Sequence, residues 1–133
     1  ISTERSDLMP LIVNALLIGA AGALGTLLRA GCTTLATRLL GPGFPWGTVF
    51  VNVVGSFAFG IIFALARTRA LPTEQEVVLL VGLLGGFTTY SSFAFQSAEM
   101  LSGGRPTLAL AYMLATNMLG IGAVWAGMRV GQG

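Results

Sequence analysis

The chain has 133 residues, 54% hydrophobic and 9% charged, with a mean hydropathy of +0.83 and a formal net charge of +2. Ordinary soluble domains carry roughly 25% charged residues, so this composition excludes a soluble globular fold. With no His and one Cys, Cys32, an intrachain disulfide, a Cys/His zinc site and a histidine general base are also excluded.

The amino end, Ile1 to Asp7, has no starting Met and no basic n-region. It does not read as a secretory signal, so the first apolar window is expected to be a retained helix. Charged residues divide the chain into four uncharged windows: Leu8 to Leu28, Leu39 to Ala66, Val77 to Ala98, and Pro106 to Met128. Each exceeds the length of about 20 apolar residues that a spanning helix needs. The expected fold is an all-α integral membrane protein, residues 1–133 forming a single four-helix domain. Gly41-Pro42-Gly43-Phe44-Pro45 reads as a loop, so the second helix starts near Trp46, a residue suited to a membrane interface.

Seven arginines and no lysine carry the positive charge. With four spans, Arg5, Arg67, Arg69 and Arg129 fall on one side, and Arg29, Arg38 and Arg105 on the other. So even a division gives almost no orienting bias. It predicts insertion in both orientations and antiparallel pairing, the alternative being that the small difference still orients the chain.

Small residues recur in every span, as in Ala21-x-x-x-Gly25 and Gly82-x-x-x-Gly86. Membrane helices associate through close backbone approach. Four thin helices packed this way leave little room for an enclosed aqueous pore, so a homo-oligomer, most simply a dimer, is expected. No Asp, Glu or Lys lies deep in any window. That argues against proton-coupled pumps and against the small multidrug-resistance transporters, which depend on an embedded glutamate.

The polar groups inside the spans are neutral. Asn52 in the second offers two N–H donors and a carbonyl acceptor, or simply binds a neighbouring helix. Arg29 closes the first window, where it can snorkel to the interface and draw anions to a pore mouth. Gly85-Gly86-Phe87-Thr88-Thr89-Tyr90-Ser91-Ser92-Phe93 is the most unusual stretch. Two adjacent glycines and four serine and threonine hydroxyls near the centre of an apolar window predict a helix broken near the bilayer midplane, where solutes and ions bind. Tyr90 and Phe93 can turn positive ring edges to a small anion, or only pack. Tyr112, Thr116 and Gly120 share one face of the fourth helix, a hydroxyl stripe unless Thr116 bonds back to its own helix. Asn14 and Asn117 fit no comparable pattern and are expected to be packing residues.

Three stretches together resemble the Fluc (CrcB) family of fluoride channels: Gly22 through Arg29, Gly47-Thr48 through Asn52 to Phe57, and Gly85 through Phe93. The resemblance implies an antiparallel, dual-topology homodimer in the bacterial inner membrane that exports fluoride passively through two pores. Its expected partners are fluoride, membrane lipid and its own copy, with no nucleic acid and no enzymatic activity. It implies pore roles for Asn52, Thr89, Tyr90, Ser91, Phe93, Tyr112 and Thr116, with Arg29 at an aqueous vestibule. It also implies a structural sodium ion (Na+) at the dimer interface, held by the backbone carbonyls of Gly85 and Thr88. Two positions depart from the family pattern: Tyr90 stands where phenylalanine is usual, and Thr116 where serine is. The alternative reading is a non-conducting assembly subunit whose midplane polar residues only pack helices.

Overall fold

A computed structural model describes residues 2–69 and 71–133, with side chains from Leu8 onward, so Arg5 of the charge count lies outside the described side chains. All elements are helical: α1 (Ser2–Leu40), α2 (Trp46–Thr68), α3 (Thr73–Val77), a π-helical segment (Val78–Leu84), α4 (Gly85–Phe87), α5 (Tyr90–Ser102) and α6 (Pro106–Gln132). Four stretches are long and apolar enough to cross a membrane: Leu8–Leu40, Trp46–Thr68, Thr73–Ser102 and Pro106–Gln132.

The start of α2 at Trp46 agrees with the sequence expectation. The first span differs, because α1 does not stop at Leu28 but runs on to Leu40 with Arg29 and Arg38 inside it. A charge limits how deep a segment can sit in lipid, but only backbone chemistry ends a helix. Between Arg29 and Leu40 there is no proline, and Thr33 and Thr37 fold their hydroxyls back onto carbonyls of their own helix. The helix ends at Gly41, whose φ of +82° suits glycine and whose N–H caps the Thr37 carbonyl at 3.0 Å. A similar device turns the chain from α5 into α6: Gly104 has φ +71°, and Pro106 opens α6 at a position where its missing N–H costs nothing.

Two pairs of helices pack closely enough that side chains are excluded between them. In the first, α1 lies against the π-helical segment and α4. A Cβ on Gly25 would strike the Leu83 carbonyl, one on Gly82 would meet Ile18 and Ala21, and one on Gly86 would strike the Gly22 carbonyl. The two small-residue patterns of the sequence thus face each other. In the second pair α2 lies against α6, with Gly60 against the backbone of Val124 and Met128, and Gly127 against Phe57. The described core is small, centred on Met100, Ala109 and Tyr112 with Phe44 and Phe93 against it. At most 28% of any spanning window is buried, so most leucine, isoleucine and phenylalanine side chains face outward. Such a surface suits an apolar solvent.

The third span is not one regular helix. After α4, Thr88 (φ −86°, ψ 161°) and Thr89 (φ −151°, ψ 116°) are extended, and helical geometry resumes at Tyr90.

Gly86→Val should lower the thermal unfolding midpoint in detergent by several degrees, an overpacking cost of about 1–3 kcal/mol. Gly122→Ala, where an added Cβ meets nothing within 4 Å, should leave the midpoint unchanged. Equal effects would contradict backbone-to-backbone packing at Gly86.

Candidate functional site

Two extended residues within a span create a problem of unmatched backbone groups, and Asn52 of α2 answers part of it. Its Nδ2 donates to the Thr89 carbonyl at 3.0 Å, and its Oδ1 accepts from the Thr89 N–H at 2.8 Å. One side-chain amide thus gives both backbone polar groups of one residue a partner. Leaving either group unpaired while buried would cost about 1–3 kcal/mol. Thr89 also caps α5, its Oγ1 accepting from the Ser92 N–H at 3.2 Å and donating to Ser92 Oγ at 3.1 Å.

These bonds free two carbonyls. In an unbroken helix the Thr89 N–H would serve the Gly85 carbonyl, and the Ser92 N–H would serve the Thr88 carbonyl. Here they go to Asn52 Oδ1 and Thr89 Oγ1. The Gly85 and Thr88 oxygens therefore lack their helical donors. Among the described residues no group of three His, Cys, Asp or Glu side chains is placed to hold a metal.

Two clefts flank Thr89, the one residue that lines both among the described residues. The first, about 550 Å³, is lined by Asn52, Ser56, Gly85, Thr88, Tyr90, Phe93, Thr116 and Asn117 together with apolar residues of α2 and α6. No charged side chain lines it. Thr116 Oγ1 is buried here with no hydrogen-bond partner. The back-bonding alternative fails for Thr116 although Thr33, Thr68, Ser97 and Ser102 all bond back to their own helices. Asn52 uses one of its two Nδ2 hydrogens on Thr89 and keeps the second.

The second cleft, about 330 Å³, is lined by Arg29, Thr33, Thr37, Thr48, Ser92 and Gln96, among others. Arg29 Nε is buried and unpartnered, so the only charged group lining this cleft is cationic.

An aromatic run joins the site to the core. Tyr90 and Phe93 have centroids 5.8 Å apart, Phe93 and Tyr112 5.3 Å, and Tyr112 meets Phe44 edge to face at 5.5 Å. Tyr112 is fully buried, whereas Tyr90 is 79% exposed. The Tyr112 hydroxyl donates to Gln96 Oε1 at 2.8 Å.

The structure therefore brings Asn52, Gly85, Thr88, Thr89, Tyr90, Phe93 and Thr116 to one cleft and Arg29 to the other. Tyr112 packs beside Phe93. Ser91 lines neither cleft, and its hydroxyl lies 3.5 Å from that of Thr89. Asn117, expected only to pack, lines the first cleft while its Nδ2 donates to Met113. Gln96, Thr48 and Phe44 were missed. Gln96 is the residue with a sequence signal, an uncharged amide inside the third apolar window four positions before the turn of α5 in which Met100 is buried.

A profile of the family described as "CrcB-like protein, Camphor Resistance (CrcB)" matches residues 16–128. The chain is similar to a Thermus thermophilus protein named fluoride-specific ion channel FluC, 44% identical over 116 residues, covering 87% of this chain and 93% of the relative. The proteins of that name from Agrobacterium fabrum (39% over 122 residues, 91% and 98% covered) and Rhizobium meliloti (44% over 119 residues, 88% and 94% covered) are similar too.

Replacing Asn52 with Ala leaves the Thr89 peptide without its partners. Hydrogen exchange of the Thr89 amide should then accelerate at least about tenfold, the equivalent of one lost buried bond. Unchanged protection would mean that the extended pair holds its shape without Asn52.

Proposed function

We propose, from the premise that this chain belongs to the CrcB family, whose members are ion channels and not enzymes, that it is a passive fluoride-selective channel. It exports fluoride across the bacterial inner membrane. The single observation that carries this reading is the first cleft: mainly apolar, free of charged side chains among the described residues, yet holding the unpartnered Thr116 hydroxyl and a free Asn52 N–H.

Fluoride is small and strongly hydrated, so a pore must offer donors in place of water. Asn52 and Thr116 offer N–H and O–H, and Tyr90 and Phe93 offer positive ring edges. A fixed cation at this point would hold the ion too tightly for rapid exit. The cation is instead Arg29, in the second cleft, where it raises the local anion concentration. Thr89, between the clefts, is where the ion passes from one to the other; Ser91 stands at the edge of this route and Tyr112 behind it.

The channel works as an antiparallel homodimer of dual topology, with one pore along each chain and the interrupted third span near the bilayer midplane. Gly85, Tyr90 and Ser91 are exposed beside the extended pair. Irregular backbone at membrane depth has to be covered by protein, and a second copy provides that cover. The carbonyls of Gly85 and Thr88, free of helical donors, suit a hard monovalent cation. Sodium at the interface would be held by these oxygens from both copies. When bound it supplies a positive charge that ties the two interrupted spans together.

Expression in a fluoride-sensitive bacterium lacking its own exporter should restore growth in fluoride. Asn52→Ala and Phe93→Ile, present in the membrane at the parent level and eluting as the same dimer, should fail to do so, with flux down roughly tenfold or more. Continued sensitivity with the parent chain in the membrane would contradict the channel reading. A variant that protects as well as the parent would remove that residue from the pore.

A further inference from the structure

A groove of about 280 Å³ opens where α1 passes the start of the third span, lined by Asn14, Leu17, Glu74, Gln75, Val78 and Leu79. Glu74 and Gln75 lie in α3, at the mouth of the span Thr73–Ser102. Val78 and Leu79 follow each of them by one turn, about 6 Å deeper. On α1 the order is the same, with Asn14 outermost and Leu17 a turn further in. Polar side chains thus stand at the level of lipid headgroups and apolar ones at the level of acyl chains. The two acids of α3 are not equivalent. Glu76 pairs with Arg67 at 2.6 Å, whereas Glu74 is exposed and has no ion-pair partner among the described residues. Asn14, expected to pack, makes no side-chain hydrogen bond among the described residues, unlike Asn52 and Asn117.

Leu17 is half exposed, and Val13, Leu16 and Val81 beside the groove also face outward. The groove therefore opens onto the same apolar solvent as the rest of the surface, and lipid is what fills it. The Glu74 carboxylate decides which lipid. We infer that this groove binds a phospholipid with a primary ammonium headgroup. The nitrogen sits on the Glu74 carboxylate and the side-chain oxygens of Asn14 and Gln75, and an acyl chain runs along Leu17, Val78 and Leu79. An ammonium carries three donors and no acceptor, so a carboxylate between two amide oxygens matches it. The same carboxylate repels a headgroup that is anionic only, and selectivity comes as much from that repulsion as from the attraction. No residue of this groove lines either cleft beside Thr89. Gly85, Tyr90 and Ser91, the exposed residues assigned to a second copy, lie outside it as well. The inference rests on the chain's placement in a membrane and not on fluoride conduction.

Purified protein is titrated with phosphatidylethanolamine or phosphatidylglycerol of identical acyl chains, and the lipid-bound fraction is read by native mass spectrometry. The parent chain should hold phosphatidylethanolamine about threefold or more tightly than phosphatidylglycerol, the scale of an ion pair at an exposed site. Glu74→Gln keeps the groove but removes its charge, and it should bring the two lipids level. Leu17→Trp fills the acyl part of the groove and should weaken phosphatidylethanolamine by a similar factor. Met118→Trp adds the same ring at an exposed position of α6 outside the groove and should bind as the parent does. Equal affinity of the parent for both lipids would overturn the inference, as would an undiminished preference in Glu74→Gln. Equal effects of the two tryptophans would overturn it too, since the lipid would then sit elsewhere. Glu74→Gln and Leu17→Trp test the two ends of the site separately, so misfolding of one leaves the other to decide. Fluoride efflux is no part of the readout, so the result stands whether or not the chain conducts.

Discussion

A peptide group that leaves helical geometry inside an apolar span must find partners in the protein, and the rest of this structure depends on how Thr89 finds them. Asn52 supplies both an acceptor and a donor, at 2.8 and 3.0 Å. This one side chain fixes the extended pair against α2, puts Thr89 between two clefts, and frees the Gly85 carbonyl from its helical role. The bond also limits what Asn52 can do for an ion, because only one of its amide hydrogens remains uncommitted. On the channel reading proposed above, fold and function share a single amide. A substitution at Asn52 acts on both, and only a readout of backbone protection separates them from a readout of flux.

Glycine makes that contact geometrically possible. Gly55 sits where a Cβ would strike the Thr88 methyl, so α2 can approach the extended pair only without a side chain there. Gly25, Gly82 and Gly86 hold α1 against the other half of the third span, and Gly60 and Gly127 hold α2 against α6. Two tightly packed pairs leave the first cleft along their junction, with α5 leaning on α6 through Phe93 and Tyr112. The arrangement buries little apolar surface, and this is consistent with packing in lipid. There helices gain from close backbone contact more than from removing apolar area from solvent.

Most of this architecture was legible because the membrane leaves so few options. Uncharged windows of sufficient length identified four spans, and the Gly85 to Phe93 stretch contained too many glycines and hydroxyls for a plain helix. The contribution of Asn52 was visible as an amide inside an apolar run, although its commitment to Thr89 was not, since hydrogen bonds between residues 37 apart leave no local pattern. The uncharged window Leu8 to Leu28 is shorter than α1 for a physical reason: Arg29 marks a change in depth, whereas Gly41 marks the end of the helix. Gln96 and Asn117 were passed over because single amides carry no periodicity, and only packing shows what each one faces. The resemblance singled out Ser91 and not Ser92, yet the turn of α5 carries Ser92 to the second cleft and leaves Ser91 outside it.

The central claim is that an uncharged cleft in this chain conducts fluoride and refuses larger halides. Purified protein in liposomes loaded with equal fluoride and chloride, with efflux of each recorded by ion-selective electrodes, tests it most directly. The account predicts rapid loss of fluoride while chloride stays inside, with Tyr90 present in the conducting protein. Retention of both ions, or loss of both at similar rates, would contradict it.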